Sequence, residues 1–191
     1  MKKIILIVVL FICGKSVAQD YYHGIGVQLN TGVFNYSYQS PLEDNTFTGI
    51  LGVPGIVYKA SLSFEISRNS NFAISAYPFA GLMFSNVYGG YFGAELPILA
   101  EFIKGSLDDR CFFIGAGFSM SYLKTNGDGG SVVGPQVNVG GQFEFKERLI
   151  GIRGSWTYGI NKPGRYIPSS ATTYSDSKMM IGMSLFYPLG L

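Results

Sequence analysis

Charge is scarce in this chain. Fourteen Lys and Arg stand against twelve Asp and Glu among 191 residues, and there is one His and one Trp. Nothing in so even a balance suggests nucleic acid as a partner, which would need a basic patch or stripe. Cysteine is limited to Cys13 and Cys111. Residues 1–18 read as a cleaved signal peptide. Lys2 and Lys3 form a positive start, Ile4 to Ile12 a short apolar core, and Ser16-Val17-Ala18 a small-x-small cleavage site before Gln19. Lipidation at Cys13 is the competing reading, but Leu10-Phe11-Ile12 lacks the small residue that such a site wants before its cysteine. With the leader gone only Cys111 remains, so a scaffold stapled by internal disulfides is excluded. Beyond the leader no apolar run approaches 18 residues, so no transmembrane helix is expected.

Loss of Lys2, Lys3 and Lys15 with the leader leaves 14 − 3 = 11 basic residues against 12 acidic, a net charge near −1. The remaining 191 − 18 = 173 residues, 19–191, suit one domain. Few charges, many aromatics and 26 glycines suit an all-β protein with little ordinary wet surface.

The strongest positive signal is alternation. In residues 56–66 one face carries Ile56, Tyr58, Ala60, Leu62, Phe64 and Ile66, and the other Val57, Lys59, Ser61, Ser63 and Glu65. Successive side chains of a strand point to opposite faces, so this segment is greasy on one side and polar on the other. The pattern recurs in about eight strands: 24–38, 56–66, 72–84, 91–103, 111–123, 136–145, 149–160 and 178–189. The phase of the first slips at Val33-Phe34, which reads as a bulge. Pro78 breaks the ladder of the third. For the fifth, neither face is marked as the apolar exterior.

Short connections at 67–71, 104–110 and 146–148 alternate with long ones rich in Gly, Ser, Asn and Pro after the first, fifth and seventh strands. Short turns at one end and long loops at the other describe an outer-membrane barrel with its turns in the periplasm. Eleven residues at about 3.3 Å each, tilted by about 45°, rise roughly 25 Å, the height of the apolar band in such barrels. Aromatics fall into two expected girdles. Phe64, Phe72, Phe102, Phe112, Phe145 and Tyr187 mark the turn end, and Tyr58, Phe84, Phe92, Tyr122 and Tyr158 the loop end. A soluble lipocalin-like barrel is the competing architecture, with the apolar face inside. It would leave few charges among many exposed Gly and Ser, so lipid is the preferred reading. Leu62, Leu96, Ile152 and Ile181 are then expected outward near mid-bilayer.

The segments Glu95-Leu96-Pro97-Ile98-Leu99-Ala100-Glu101 and Gly115-Ala116-Gly117-Phe118-Ser119-Met120-Ser121-Tyr122 carry a family resemblance. They resemble the Glu-x-Pro strand, and the strand after it, of the bacterial outer-membrane β-barrel domain family of the PorT-like kind. The resemblance spans roughly residues 20–191. It implies an outer-membrane location and permits a role as an accessory assembly factor of a secretion system. The chain ends Tyr187-Pro188-Leu189-Gly190-Leu191, without the terminal aromatic usual in assembly signals.

Candidate chemistry is sparse. His23, the single histidine, is expected at the turn-end rim, where an interfacial role outweighs a Ser-His-acid constellation. Cys111 has no metal-ligand neighbour at useful spacing. Gly14-Lys15-Ser16 matches only the end of a phosphate-binding loop, and Gly127-Asp128-Gly129-Gly130 is a turn without the carboxylates of a calcium loop. No catalytic residue, cofactor or metal is expected. The remaining constellation is inward charge: Lys59, Glu65, Glu95, Glu101, Glu144, Arg153 and Lys178 as a lumen ion-pair network. An eight-stranded barrel has room inside only for side chains, so such charges need partners.

The expected function is a small non-catalytic outer-membrane barrel with a structural, adhesive or interaction role through its outer loops. An assembly factor and a lipid-modifying barrel enzyme are the alternatives. The expected partners are outer-membrane lipid, the barrel-assembly machinery during biogenesis, and a protein met by the outer loops.

Overall fold

The computed structural model describes residues 20–39, 44–85, 91–106, 109–124, 129–160 and 173–189. The expected leader and its cleavage site, the phosphate-loop fragment and Asp128 lie outside them. Among the described residues nine antiparallel strands close into a ring: β1 (Asp20–Gln39), β2 (Asp44–Ser67), β3 (Ser70–Ala76), β4 (Phe79–Ser85), β5 (Tyr91–Gly105), β6 (Cys111–Lys124), β7 (Gly129–Phe145), β8 (Arg148–Ile160) and β9 (Thr173–Leu189). Consecutive strands pair with one another, except β3 with β4, and β1 pairs with β9 to close the circle.

The ring is eight-stranded in effect, because β3 and β4 are consecutive halves of one stave between β2 and β5. The break falls at Tyr77-Pro78, as the missing proline N–H requires. The ladder is bridged there: the Tyr58 N–H donates to the Pro78 carbonyl (2.9 Å) and the Tyr77 N–H to the Pro97 carbonyl (3.1 Å).

The short connections lie where expected. Two of them, at 68–69 and 146–147, are two-residue turns. Several strands, however, run further toward the loop end than alternation suggested. β1 and β2 stay paired from Asp20↔Ser63 to Gln39↔Asp44, and β1 and β9 from His23↔Leu189 to Gln39↔Thr173. The expected long loop after the first strand is thus largely strand. Twenty residues of β1 rise roughly 45 Å at the usual spacing and tilt, well past an apolar band of about 25 Å. The extension escaped the alternation test because Asn35, Ser37, Asn45 and Thr46 interleave with Tyr36, Tyr38 and Phe47, so no apolar face marks it. Tyr, Phe and Thr still favour strand. The expected bulge at Val33-Phe34 is absent: the register there is unbroken on both sides. The irregularity lies instead between Glu65 and Ser67 on β2.

Among the described side chains the middle of the exterior is apolar. Val27, Ile56, Leu82, Phe118, Met183 and their neighbours on the same faces are exposed. On β6 the outward row is Phe112, Ile114, Phe118, Met120 and Tyr122, while Cys111, Phe113, Ser119 and Ser121 are buried, which assigns the faces of that strand. Leu96, Ile152 and Ile181 are outward as expected, but Leu62 is only 3% exposed. It sits between Tyr21 and Ile74 in the register, near the irregular end of β2. Tyr58 also departs from expectation. With β2 so extended, it pairs with Ile25 near the turn end and does not join the loop-end girdle. Phe64 is half-buried. The other girdle aromatics are exposed at their expected ends.

The interior is layered. Tyr22, Ala73, Ile103, Cys111, Phe113 and Phe186 form one apolar cluster toward the turn end. Leu51, Val53, Val57, Tyr77, Phe79, Leu99 and Met180 form another toward the loop end. Polar side chains fill the space they flank.

Candidate functional site

The inward faces of β1, β2, β3, β5, β6, β7 and β8 meet in the lumen. Period-two alternation that sends Val27, Leu29, Leu96 and Ile152 outward turns Gln28, Asn30, Glu95, Glu101 and Arg153 inward. Lys59, Glu95, Glu101 and Arg153 are all buried there.

The two carboxylates are held by neutral donors. Glu95 accepts from Asn30 Nδ2 (3.0 Å), Ser119 Oγ (2.6 Å) and Thr157 Oγ1 (3.4 Å). Glu101 accepts from the Tyr77 hydroxyl (2.7 Å), and from Ser75 Oγ and Asn138 Nδ2. Ser75 in turn is hydrogen-bonded to Ser61 (2.7 Å). An ionised carboxylate offers about four acceptor sites, so several hydroxyls and amides can share one group.

The two cations are held mainly by rings. Lys59 Nζ lies 4.5 Å from the Phe113 centroid, 5.1 Å from those of Tyr22 and Phe186, and 5.8 Å from that of Tyr77. It has no hydrogen-bond partner among the described residues. The Arg153 guanidinium stacks 3.9 Å from the Tyr77 centroid and donates from Nη1 to Gln28 Oε1 (3.3 Å). Gln28 Nε2 donates to Asn30 Oδ1 (2.7 Å), which joins the Arg153 group to Glu95. Ring quadrupoles attract cations most strongly where water is excluded. Tyr77 is the hinge of the arrangement: its face carries Arg153 and its hydroxyl binds Glu101.

Glycines on inward faces make room for these groups. A Cβ on Gly115 would strike Asn138 and Glu101, one on Gly182 would strike Asn30 and Ser155, and one on Gly151 would fall inside the Phe186 ring.

The other members of the expected network lie elsewhere. Glu144 is exposed and ion-paired with Arg110 at 3.3 Å on the turn-end rim. Glu65 is also exposed, beside the irregularity in β2. The Lys178 side chain lies outside the described residues. Both displaced glutamates have the inward phase, but they stand where the staves run out and the lumen opens to water.

His23 lies at the turn end, outside the lumen. Its Nδ1 is 3.0 Å from the Tyr58 hydroxyl, and its ring stacks on Tyr21 with centroids 5.6 Å apart. Among the described residues no group of three His, Cys, Asp or Glu could hold a metal ion.

Alternation alone could have found Gln28, Asn30 and Asn138, the amide partners of the buried charges. Tyr77 was hidden because Pro78 obscures the phase of its stave.

A closed barrel satisfies every backbone group internally, and an apolar exterior of this extent belongs in hydrocarbon. With its short turns, alternating faces and aromatic ends it has the architecture of the bacterial outer membrane, and that is where the protein resides.

No family model and no curated protein matches the sequence. Among solved structures the chain is similar to Ail, the attachment invasion locus protein of Yersinia pestis, at 11% identity, TM-score 0.36, covering 87% of this chain and 99% of that one. It is similar to the N-terminal barrel domain of Pseudomonas aeruginosa OprF at 13% identity, TM-score 0.35, covering 85% and 97%. It is also similar to the outer membrane protease OmpT of Escherichia coli at 8% identity, TM-score 0.40, covering 90% and 97%. What those proteins do does not pass to this chain.

Proposed function

We propose that this protein is a small non-catalytic outer-membrane barrel that works by presenting its loop end to another molecule. The supporting observation is the filled lumen. Glu95, Glu101, Lys59 and Arg153 are each engaged by neighbouring side chains within the barrel, and apolar clusters flank them toward both ends. An interior so occupied is a structural core, and function moves to the ends. At the loop end β1, β2 and β9 run past the height of the apolar band as one paired sheet. Such a platform suits adhesion or contact with a protein partner. The barrel-assembly machinery and outer-membrane lipid are the partners that its biogenesis requires. An accessory role in a secretion system, which the PorT-like resemblance permits, would use the same platform. A lipid-modifying enzyme is less well supported, because His23 is engaged with Tyr58 and Tyr21, away from the buried carboxylates.

The test is made on whole cells. An epitope tag inserted between Gln39 and Asp44 should be reached by antibody from outside. The same protein should fractionate with the outer membrane and run differently on a gel according to heating. Recovery in the soluble periplasm, or a tag reached only after lysis, would overturn the reading.

A further inference from the structure

The exterior carries a groove of about 580 Å³ across β2, β1, β9 and β8, lined by Val27, Leu29, Pro54, Ile152, Met183 and Leu185. The register explains its course. Pro54, Leu29 and Met183 form one row across the strands, and Ile56, Val27, Leu185 and Ile152 form the next. The first row ends at Gly154, opposite Met183, where no side chain closes it. The groove therefore lies within the apolar band and is apolar itself.

Toward the turn end the same face changes character. Tyr58 is two residues beyond Ile56, and His23 four residues beyond Val27, about 13 Å along the strand. Tyr21 stacks on His23, and the Tyr58 hydroxyl meets His23 Nδ1 at 3.0 Å. When that hydroxyl donates to Nδ1, the neutral imidazole carries its proton on Nε2. Nε2–H is then a donor facing away from the pair. Tyr187, paired with Ile25, places this cluster at the level of the turn-end aromatics, where headgroups meet the hydrocarbon.

We propose that the groove and this cluster together bind one glycerophospholipid of the turn-side leaflet. One acyl chain lies in the groove, and the headgroup phosphate accepts from His23 Nε2. In this arrangement Tyr58 donates to Nδ1 and Tyr21 stacks on the ring. The site rests on the membrane reading given above. It differs from ordinary annular lipid in pairing an apolar groove with a hydrogen-bonding cluster on β1 and β2, two of the strands that line it.

Native mass spectrometry tests it on full-length protein extracted from vesicles of phosphatidylethanolamine and phosphatidylglycerol. The wild type should retain one phospholipid per chain through detergent washing. His23→Ala and the groove-filling Met183→Trp should each lose it. Tyr58→Phe, which removes only the hydroxyl, should weaken retention. Ile114→Trp, on the opposite wall, should retain the lipid as the wild type does. No retained lipid in the wild type, or unchanged retention in either His23→Ala or Met183→Trp, overturns the proposal. Heat-dependent gel mobility of each preparation reports a folded barrel. A wild type without that shift would instead show the membrane reading to be at fault.

Discussion

In the lumen Glu101 is held by hydrogen bonds and Lys59 by rings alone. Three neutral donors converge on Glu101, from Ser75, Tyr77 and Asn138. Removing the carboxylate strands the Tyr77 hydroxyl and the Asn138 amide in a buried setting, while Ser75 keeps Ser61, and each unsatisfied donor costs about 1–3 kcal/mol. Glu101→Ala should therefore destabilise the barrel by about 3 kcal/mol or more. Lys59→Met should cost far less, since a methionine fills similar space among Tyr22, Phe113 and Phe186 without desolvating a charge. Urea unfolding followed by the fluorescence of Trp156 checks both, and equal losses would show that Lys59 is held by more than its rings. Alternation made the inward direction of Lys59, Glu95, Glu101 and Arg153 legible in the sequence. It did not reveal what they would touch. Which inward residue faces which depends on stagger between strands, and a single sequence does not carry stagger. Glu65 and Glu144 show the other limit, because phase says nothing about whether a strand end still encloses a lumen.

Among the elements, the β7–β8 hairpin stands out. Its two-residue turn holds Lys146 at φ 49° and Glu147 at φ 62°. Paired left-handed residues match the twist of the flanking strands, and Asn-Gly meets that demand most cheaply. Left-handed backbone costs roughly 1–2 kcal/mol per ordinary residue. The double change Lys146→Asn, Glu147→Gly should therefore stabilise the barrel by at least about 1 kcal/mol, read as a higher urea midpoint. An unchanged or lower midpoint would show that the Lys146–Phe145 contact, 5.5 Å from cation to ring centroid, outweighs the strain. The position of this turn was legible from Phe145 and Leu149 on either side of three charged residues, Lys146, Glu147 and Arg148. The reach of β1, β2 and β9 was not, because polar residues on both faces erase the period that marks a strand. Pro78, by contrast, announced its break plainly.

For the molecule as a whole, the layered interior predicts electrical silence. Apolar side chains near both ends and buried polar groups between them leave no wet path for hydrated solutes. In planar bilayers the purified protein should give no steady conductance. Steady solute-sized conductance from the wild type would refute the packed lumen. Barrel architecture was legible at this scale, since strand count, alternating faces and alternating connection lengths all follow from local pattern. The division of the interior into apolar and polar layers needed the ring to be closed before it could be seen.

The shared register of β1, β2 and β9 beyond the membrane has a consequence for recognition. Fixing a residue's backbone costs about 1–2 kcal/mol, and a floppy loop meets that cost when it meets its ligand. Here folding has already met it, for backbone that stays hydrogen-bonded as far as Gln39. On the proposed reading a molecule arriving from outside would meet a mast, hydrogen-bonded along its length and rooted in the barrel wall. Its grip would gain from that rigidity, and a pull on the mast would pass straight into the staves.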